Sequence, residues 1–306
     1  MSQGQTVVNT ADLTVARDNL GRVYIPATAL KGSAKSHITL TKENGEIIAK
    51  ILFGSADEET KEIKLKKHIG LIGFQDAYLV FVPVPSTLGT LYITSPLLLQ
   101  KLFEALELDE LPLIDIQENK LSCDTILIRT EEKYVDLVGG LTLKAKQEKF
   151  VGILEDLISK ILDDVKLYNV LSPRVGIVDD AIIDIILNKA LIIRPGIKIE
   201  GFSGNDLVYN KVVSEEGPRF EEEIPLGSIF TTKIILTRTQ VELKKFIEGD
   251  KKQEDMISEI LNANLSGLSI ILEKNSSRIN LNESVLYNLI KTYLHTLFIG
   301  ARETLS

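Results

Sequence analysis

The chain has 306 residues, 44% hydrophobic and 25% charged, enough apolar material for one large domain or two ordinary ones. Its formal net charge of −8 argues against nucleic-acid binding over the whole surface, because polyanion affinity comes mainly from neutralising phosphates; any such binding is local. One cysteine, Cys123, excludes an internal disulfide framework, and with His37, His68 and His295 it forms no zinc-like spacing. No stretch reaches the ~18 apolar residues of a spanning helix, and the polar start MSQGQTVVNTADL lacks the regions of a signal peptide, so the cytoplasm is the expected location.

In chain order, the first informative segment is 22–38, RVYIPATALKGSAKSHI. Pro26 ends a short apolar run, Thr28 is a cap candidate, and Lys31 and Lys35 fall four apart on one face of a helix predicted over 28–42. Free N–H groups, the positive end of the helix dipole and two ammonium groups then meet at one place, which suits a phosphodiester; solvated lysines on an ordinary amphipathic helix are the plainer alternative. Across 12–50, Arg17, Arg22, Lys31, Lys35, Lys42 and Lys50 outnumber Asp12, Asp18, Glu43 and Glu46, whereas 104–118 and 215–223 are acidic. That distribution predicts a basic groove on an acidic body.

Strand signals follow at 22–25, 71–82, 124–129, 134–138, 141–146, 191–199 and 229–237, and helical periods at 96–107, 149–163, 180–189, 239–248, 254–264 and 283–297. Ser95 before Pro96 and Asp179 before Asp180 mark two helix starts. Helices lie between strands without a repeating βα unit, which predicts an α+β domain over 1–306 with an antiparallel sheet. Residues 54–68 read as a mixed-charge insertion and 109–120 as a polar loop. The glycine-rich excursion 200–225 reads as a protruding hairpin, and Cys123 as a packing residue near a strand.

Four segments, in order, resemble one family. ADLTVARDNLGRVYIPATALKGSAKSH (11–37) is similar to its pattern of aspartate, apolar residues, a basic–acidic pair, then proline and Leu-Lys-Gly heading a helix. LFGSADEE followed by IGLIGFQDAYLVFVPVPSTLGTLYITSPLLLQKL (69–102) resembles its phenylalanine-glycine, its strand ending in Asp-Ala and its Thr-x-Pro helix start. EEGPRFEEEIPLGSIF (215–230) resembles its acidic strand returning from a hairpin, and FIGARETLS (298–306) the start of its glycine-rich loop. On these motifs the chain is identified as a member of the repeat-associated mysterious protein (RAMP) superfamily. It is most similar to the backbone subunits of the type III-B CRISPR effector (Cmr complex), with the type III-A backbone subunits next. It departs from the pattern in opening near Gln3–Gln5 without a preceding strand and histidine, and in reaching Ser306 before the later glycines.

The resemblance implies a ferredoxin-like, RNA-recognition-type sheet, copies stacked as a filament on CRISPR guide RNA beside other effector subunits, and a thumb hairpin that displaces a nucleotide at regular intervals. It also implies an endoribonuclease that cuts complementary target RNA with a divalent cation, magnesium or manganese. The family's catalytic and metal-holding aspartate falls on Asp12, and acidic positions associated with cleavage fall on Glu221 and Glu222. Lys31 and Lys35 would contact guide phosphates, with Gly32 allowing close backbone approach and Arg17 a third contact. A carboxylate suits cleavage by the RNA's own 2′-hydroxyl, because it takes the hydroxyl proton or holds a cation once a flipped nucleotide reaches in-line geometry. Two alternatives remain: a backbone subunit that binds guide RNA without cutting, and an unrelated small-molecule enzyme with an acidic pocket at Asp179, Asp180 and Asp184.

Overall fold

In the computed structural model the described residues are 13–41, 43–55, 58–59, 64–106, 113, 116–118, 120–164, 174–196, 199–200, 212–213, 219–237, 240–242, 255–260, 269–273 and 276–280. The chain divides into two compact units, one of Met1–Tyr24 and Tyr78–Thr231, the other of Ile25–Ala77 and Thr232–Ser306.

The second unit holds helices α1 (Ala27–Thr41) and α2 (Gly45–Phe53), packed on each other. α1 buries Leu30, Ala34 and Ile38, one per turn, as its amphipathic pattern predicts. Its cap is not Thr28, which lies inside the helix: the Ala27 N–H donates to the Asp76 carboxylate at 2.7 Å. α2 gives no helical period because every residue but Glu46 is buried, so its apolar character runs all round. The two helices approach closely at Gly45, where a Cβ would collide with the Ile38 carbonyl oxygen.

The described part of the expected insertion 54–68 is a ladder of short antiparallel pairs, Gly54–Ser55 with His68–Ile69 and Glu58–Glu59 with Lys64–Leu65. Ile72–Phe74 pairs with Ile234–Leu236. Residues 240–242, expected in a helix, form a strand, because Ser276–Asn280 offers the chain a hydrogen-bonded partner and itself pairs with Ser269–Glu273. Residues 255–260 are helical as expected, and the helix read over 283–297 lies outside the described residues.

The first unit contains β1 (Tyr24–Ile25), which begins within it, β2 (Ala77–Ser86), β3 (Gly89–Thr94), β4 (Thr125–Ile128), β5 (Tyr134–Leu137), β6 (Leu141–Lys146), β7 (Arg174–Val178), β8 (Ile192–Gly196), β9 (Arg219–Glu223) and β10 (Ile229–Thr231). Its helices are α3 (Pro96–Leu106), α4 (Lys149–Asp164) and α5 (Asp180–Ala190). Strands β2-β5-β6-β4-β7-β3 bond in that order and β3 returns to β2, so six strands close into a barrel-like sheet. β1 and β10 pair with β2 outside this ring.

The sheet is mixed rather than antiparallel, since β4/β6 and β3/β7 run parallel. One face buries Val84, Leu91, Ile93, Ile126, Ile128, Val135, Leu137 and Leu143 with Ile182, Ile183, Ile186 and Leu187 of α5. The other, on β3, β4 and β7, buries Tyr92, Leu127, Val175 and Ile177 under Leu99 and Phe103 of α3 and Val151, Leu154 and Ile158 of α4. Strands buried on both faces lose the period-two alternation, which is why β3 and β7 escape a sequence reading.

The described residues of the excursion and its flanks form two short antiparallel pairings. β8 pairs with β9 from Ile192↔Glu223 to Gly196↔Arg219, and Ile199–Glu200 pairs with Val212–Val213 beyond. The strand region 229–237 pairs elsewhere: β10 bonds to β2, and Ile234–Leu236 to Ile72–Phe74. The rest of the excursion lies outside the described residues.

Candidate nucleic-acid interface

On α1, Lys31 and Lys35 sit one turn apart beside the buried Leu30–Ala34–Ile38 line, both half-exposed, and among the described residues neither ammonium has an acidic partner. Gly32 is exposed, and a Cβ built there meets nothing within 4 Å. A glycine inside a helix costs about 1 kcal/mol against alanine, and no neighbour among the described residues requires it. The helix start is less open to an anion than its sequence implies, because Asp76 already accepts the Ala27 N–H and brings its own negative charge. Nothing but its place after a strand, in GFQDA, marks Asp76 as a cap in the sequence. Lys50 is withdrawn from any basic groove: it is buried, with its ammonium 2.8 Å from Glu46.

In the first unit, residues 13–24 form a hairpin in which Arg17 bridges Val23 and the Tyr24 N–H donates to the Ala16 carbonyl. The turn is held by Asp18, whose carboxylate accepts from the backbone N–H groups of Leu20 and Arg22 and from Arg22 Nε at 2.8 Å. Burial works against the Asp18 charge, but these hydrogen bonds and the attraction of Arg22 outweigh it and hold the carboxyl below its usual range. The Arg22 guanidinium lies 5.0 Å from the centre of the Tyr78 ring.

Arg17 has partners of its own. Its guanidinium donates to the Gly21 carbonyl and to Asn188 Oδ1 at 2.7 Å, and lies 3.6 Å from Asp184. The same contact accounts for Asp184, whose carboxylate also sits over Gly21, a glycine in the left-handed region (φ 80°). Asp179 caps α5 by accepting the Ala181 N–H, and Asp180 accepts the Leu97 N–H and a Gln117 amide N–H. Each of the three carboxylates therefore has a structural partner.

Asp12 lies outside the described residues. Its neighbour Leu13 bridges to β9: the Leu13 N–H donates to Phe220 O, the Glu222 N–H donates to Leu13 O, and Leu13 pairs in parallel with Glu221. This register brings together the chain just after Asp12 and the acidic strand, 207 residues apart at Val15 and Glu222. Glu222 is partly committed, since its Oε2 accepts the Val15 N–H at 3.0 Å, and Glu223 pairs with Arg194 at 3.1 Å. Glu221 has no such partner among the described residues. No group of three His, Cys, Asp or Glu side chains able to hold a metal ion is found among the described residues. No helix among them is long and apolar enough to cross a membrane.

Comparison with known proteins agrees with this architecture. The chain is similar, at 18% identity and TM-score 0.51, to a chain of a type III-B Cmr-beta complex bound to cognate target RNA, over 93% of both chains. It is similar, at 18% identity and TM-score 0.52, to one of the Cmr-beta apo state, over 92% of this chain and 93% of that one. It is also similar to oligomeric Cmr4 from Pyrococcus furiosus, at 20% identity and TM-score 0.50, over 89% and 91%. At these identities the likeness shows the fold, a mixed α+β structure with a sheet-rich core. No curated protein matches. The RAMP superfamily model matches residues 6–305, nearly the whole sequence, and the chain belongs to the RAMP superfamily.

Proposed function

We propose that this RAMP protein is a backbone subunit of a type III-B CRISPR effector in the cytoplasm, binding guide RNA along its backbone, stacking with further copies and other subunits, and cutting complementary target RNA. The observation that carries it is α1: among the described residues two lysines without acidic partners accompany an exposed glycine with nothing over it, an arrangement that admits a phosphate backbone. Support comes from the family and from the fold shared with a chain of the type III-B Cmr-beta structure bound to cognate target RNA. On this reading the sheet that carries α3 and α4 on one face is an elaborated form of the ferredoxin-like, RNA-recognition-type layer. The β8–β9 hairpin is the thumb.

Cleavage is assigned to Asp12, with Glu221 on the strand that pairs with Leu13. Asp12 takes the proton of the target's 2′-hydroxyl, whose oxygen attacks the adjacent phosphorus; the bond from phosphorus to the 5′-oxygen breaks and that oxygen takes a proton from solvent water, giving a 2′,3′-cyclic phosphate and a 5′-hydroxyl. Among the described residues no group of three His, Cys, Asp or Glu side chains could hold a metal ion, so a magnesium or manganese ion would be held at Asp12, where it would stabilise the charge developing on the phosphate. Glu222 is a poorer candidate than Glu221, because the Val15 N–H occupies one of its oxygens.

Copies assembled on guide RNA are given a complementary target and the Asp12→Ala variant is run beside the parent. Loss of cleavage with intact assembly supports the assignment. Unchanged cutting refutes it, and assembly without cutting in the parent establishes the non-cleaving alternative. A target with 2′-deoxyribose at the scissile position resists the parent if the 2′-oxygen is the nucleophile.

A further inference from the structure

The outer surface of β5 and β6 carries an aromatic side chain that the fold does not use. Along β5, Val135 and Leu137 point into the core and Tyr134 and Asp136 point out; along β6, Leu143 is buried while Thr142, Lys144 and Lys146 are exposed. Register places Tyr134 directly opposite Lys144, and Asp136 opposite Thr142. The second pair satisfies itself, the Thr142 hydroxyl donating to Asp136 at 2.5 Å.

The first pair does not. Tyr134 is 61% exposed, and among the described residues neither its hydroxyl nor the Lys144 ammonium makes a hydrogen bond or ion pair. Asp124 lies near enough to feel the Lys144 charge, but its carboxylate is bonded to the Ser122 and Thr125 hydroxyls. Lys146, two residues along and so about 6.5 Å further on, donates to the Lys120 carbonyl, which leaves its charge uncompensated by that contact.

We propose that Tyr134 and Lys144 form a contact site for an unpaired nucleotide of an RNA strand, the base stacking on the Tyr134 ring and the phosphates lying against Lys144 and Lys146. Tyrosine offers a flat π-face that stacks on any base, and cations on the adjacent strand neutralise the backbone, the combination used for single-stranded nucleic acid. The exposed neighbours of Tyr134 on these two strands, Asp136, Thr142, Lys144 and Lys146, are all polar, which suits a nucleotide and its backbone better than an apolar protein surface. This site rests on the RNA-binding reading above but not on its residues, since Lys31 and Lys35 belong to the other unit.

The test uses the full chain and a fluorescein-labelled oligouridine, with affinity read by anisotropy across a salt series. Tyr134→Ala should weaken binding about tenfold, the fold-change of losing one stacked base, and Tyr134→Phe should restore it because the ring is retained. Lys144→Gln should flatten the salt dependence by about 0.7 in slope, one phosphate's share on a single strand. A 4-thiouridine oligonucleotide should photocrosslink to Tyr134. Because Tyr134 is exposed, thermal melting should be unchanged in all three variants, which separates a binding defect from misfolding. Parent-like affinity of Tyr134→Ala, or no crosslink at Tyr134, overturns this site while leaving the α1 reading intact; Tyr134→Phe binding as weakly as Tyr134→Ala overturns the stacking role. Failure of the parent to bind RNA at all refutes both.

Discussion

Replacing Lys31 and Lys35 together with alanine isolates the proposed guide contact, because the fold of the described residues depends on neither side chain. Neither is ion-paired among those residues, so their loss strands no buried acid. The packing of α1 rests on Leu30, Ala34 and Ile38, which are untouched, and alanine is the better helix former. If each lysine neutralises one phosphate of a single strand, the slope of log affinity against log salt should flatten by about 1.4, two contacts at ~0.7 each. The affinity ratio of parent to variant should then shrink about sevenfold between roughly 50 and 200 mM salt, a fourfold change raised to that slope. Unrelated RNA sequences should lose affinity equally, since phosphates carry no sequence. Anisotropy titrations at four or more salt concentrations measure this directly. A slope unchanged within error, with a native melting curve, refutes the phosphate role and leaves the lysines as solvated helix residues.

Gly32→Ala should raise the melting temperature, by helix propensity worth about 1 kcal/mol, and weaken RNA binding if the backbone at Gly32 approaches the ligand; binding that improves or stays constant counts against close approach. Tyr92→Phe should leave stability unchanged or raise it by about 1 kcal/mol in denaturant titration, because the buried Tyr92 hydroxyl has no hydrogen-bond partner among the described residues and its burial pushes the phenol's titration upward. Gly45→Ala should destabilise by about 1–3 kcal/mol or more, since the new methyl would collide with a backbone oxygen, a clash that only a shift of α1 against α2 relieves. The Asp18 carboxyl titrates lower in the folded chain than when unfolded, so its stabilisation is full above the ordinary aspartate value near 4 and is lost as pH falls through its folded value; Asp18→Asn should flatten the acid side of the melting-temperature profile.

What the sequence made legible follows the physics of one-sided elements. α1, α3, α4 and α5 each bury one stripe and expose another, so their periods survive in the sequence, and the Asp179 cap of α5 is observed as expected. β5 and β6 alternate cleanly for the same reason. α2, β3 and β7 were hidden because both sides of each are buried, which erases any period. The antiparallel sheet failed on a different ground: strand direction and ring closure are set by partners far along the chain, and β3/β7 pair across roughly eighty residues. The strand at 240–242 is a tertiary choice of the same kind.

Charge counted along a window proved a poor guide to which cations are free. Of the basic residues grouped in 12–50, Lys50 is neutralised by Glu46, Arg22 by Asp18, and Arg17 shares its guanidinium among Gly21, Asn188 and Asp184. Their pairing needs only an acid four residues away for Lys50 and Arg22, a spacing visible in the sequence, whereas Arg17 finds Asp184 through the fold. Lys31 and Lys35 have no acid at either helical spacing: the residues three and four away from them on α1 are Ala27, Thr28, Gly32, Ala34, Ile38 and Thr39, together with one another. An ammonium with no carboxylate in reach of its own helix keeps its charge for an outside partner, and that local deficit of acid, rather than the net basicity of the segment, is what singles out α1.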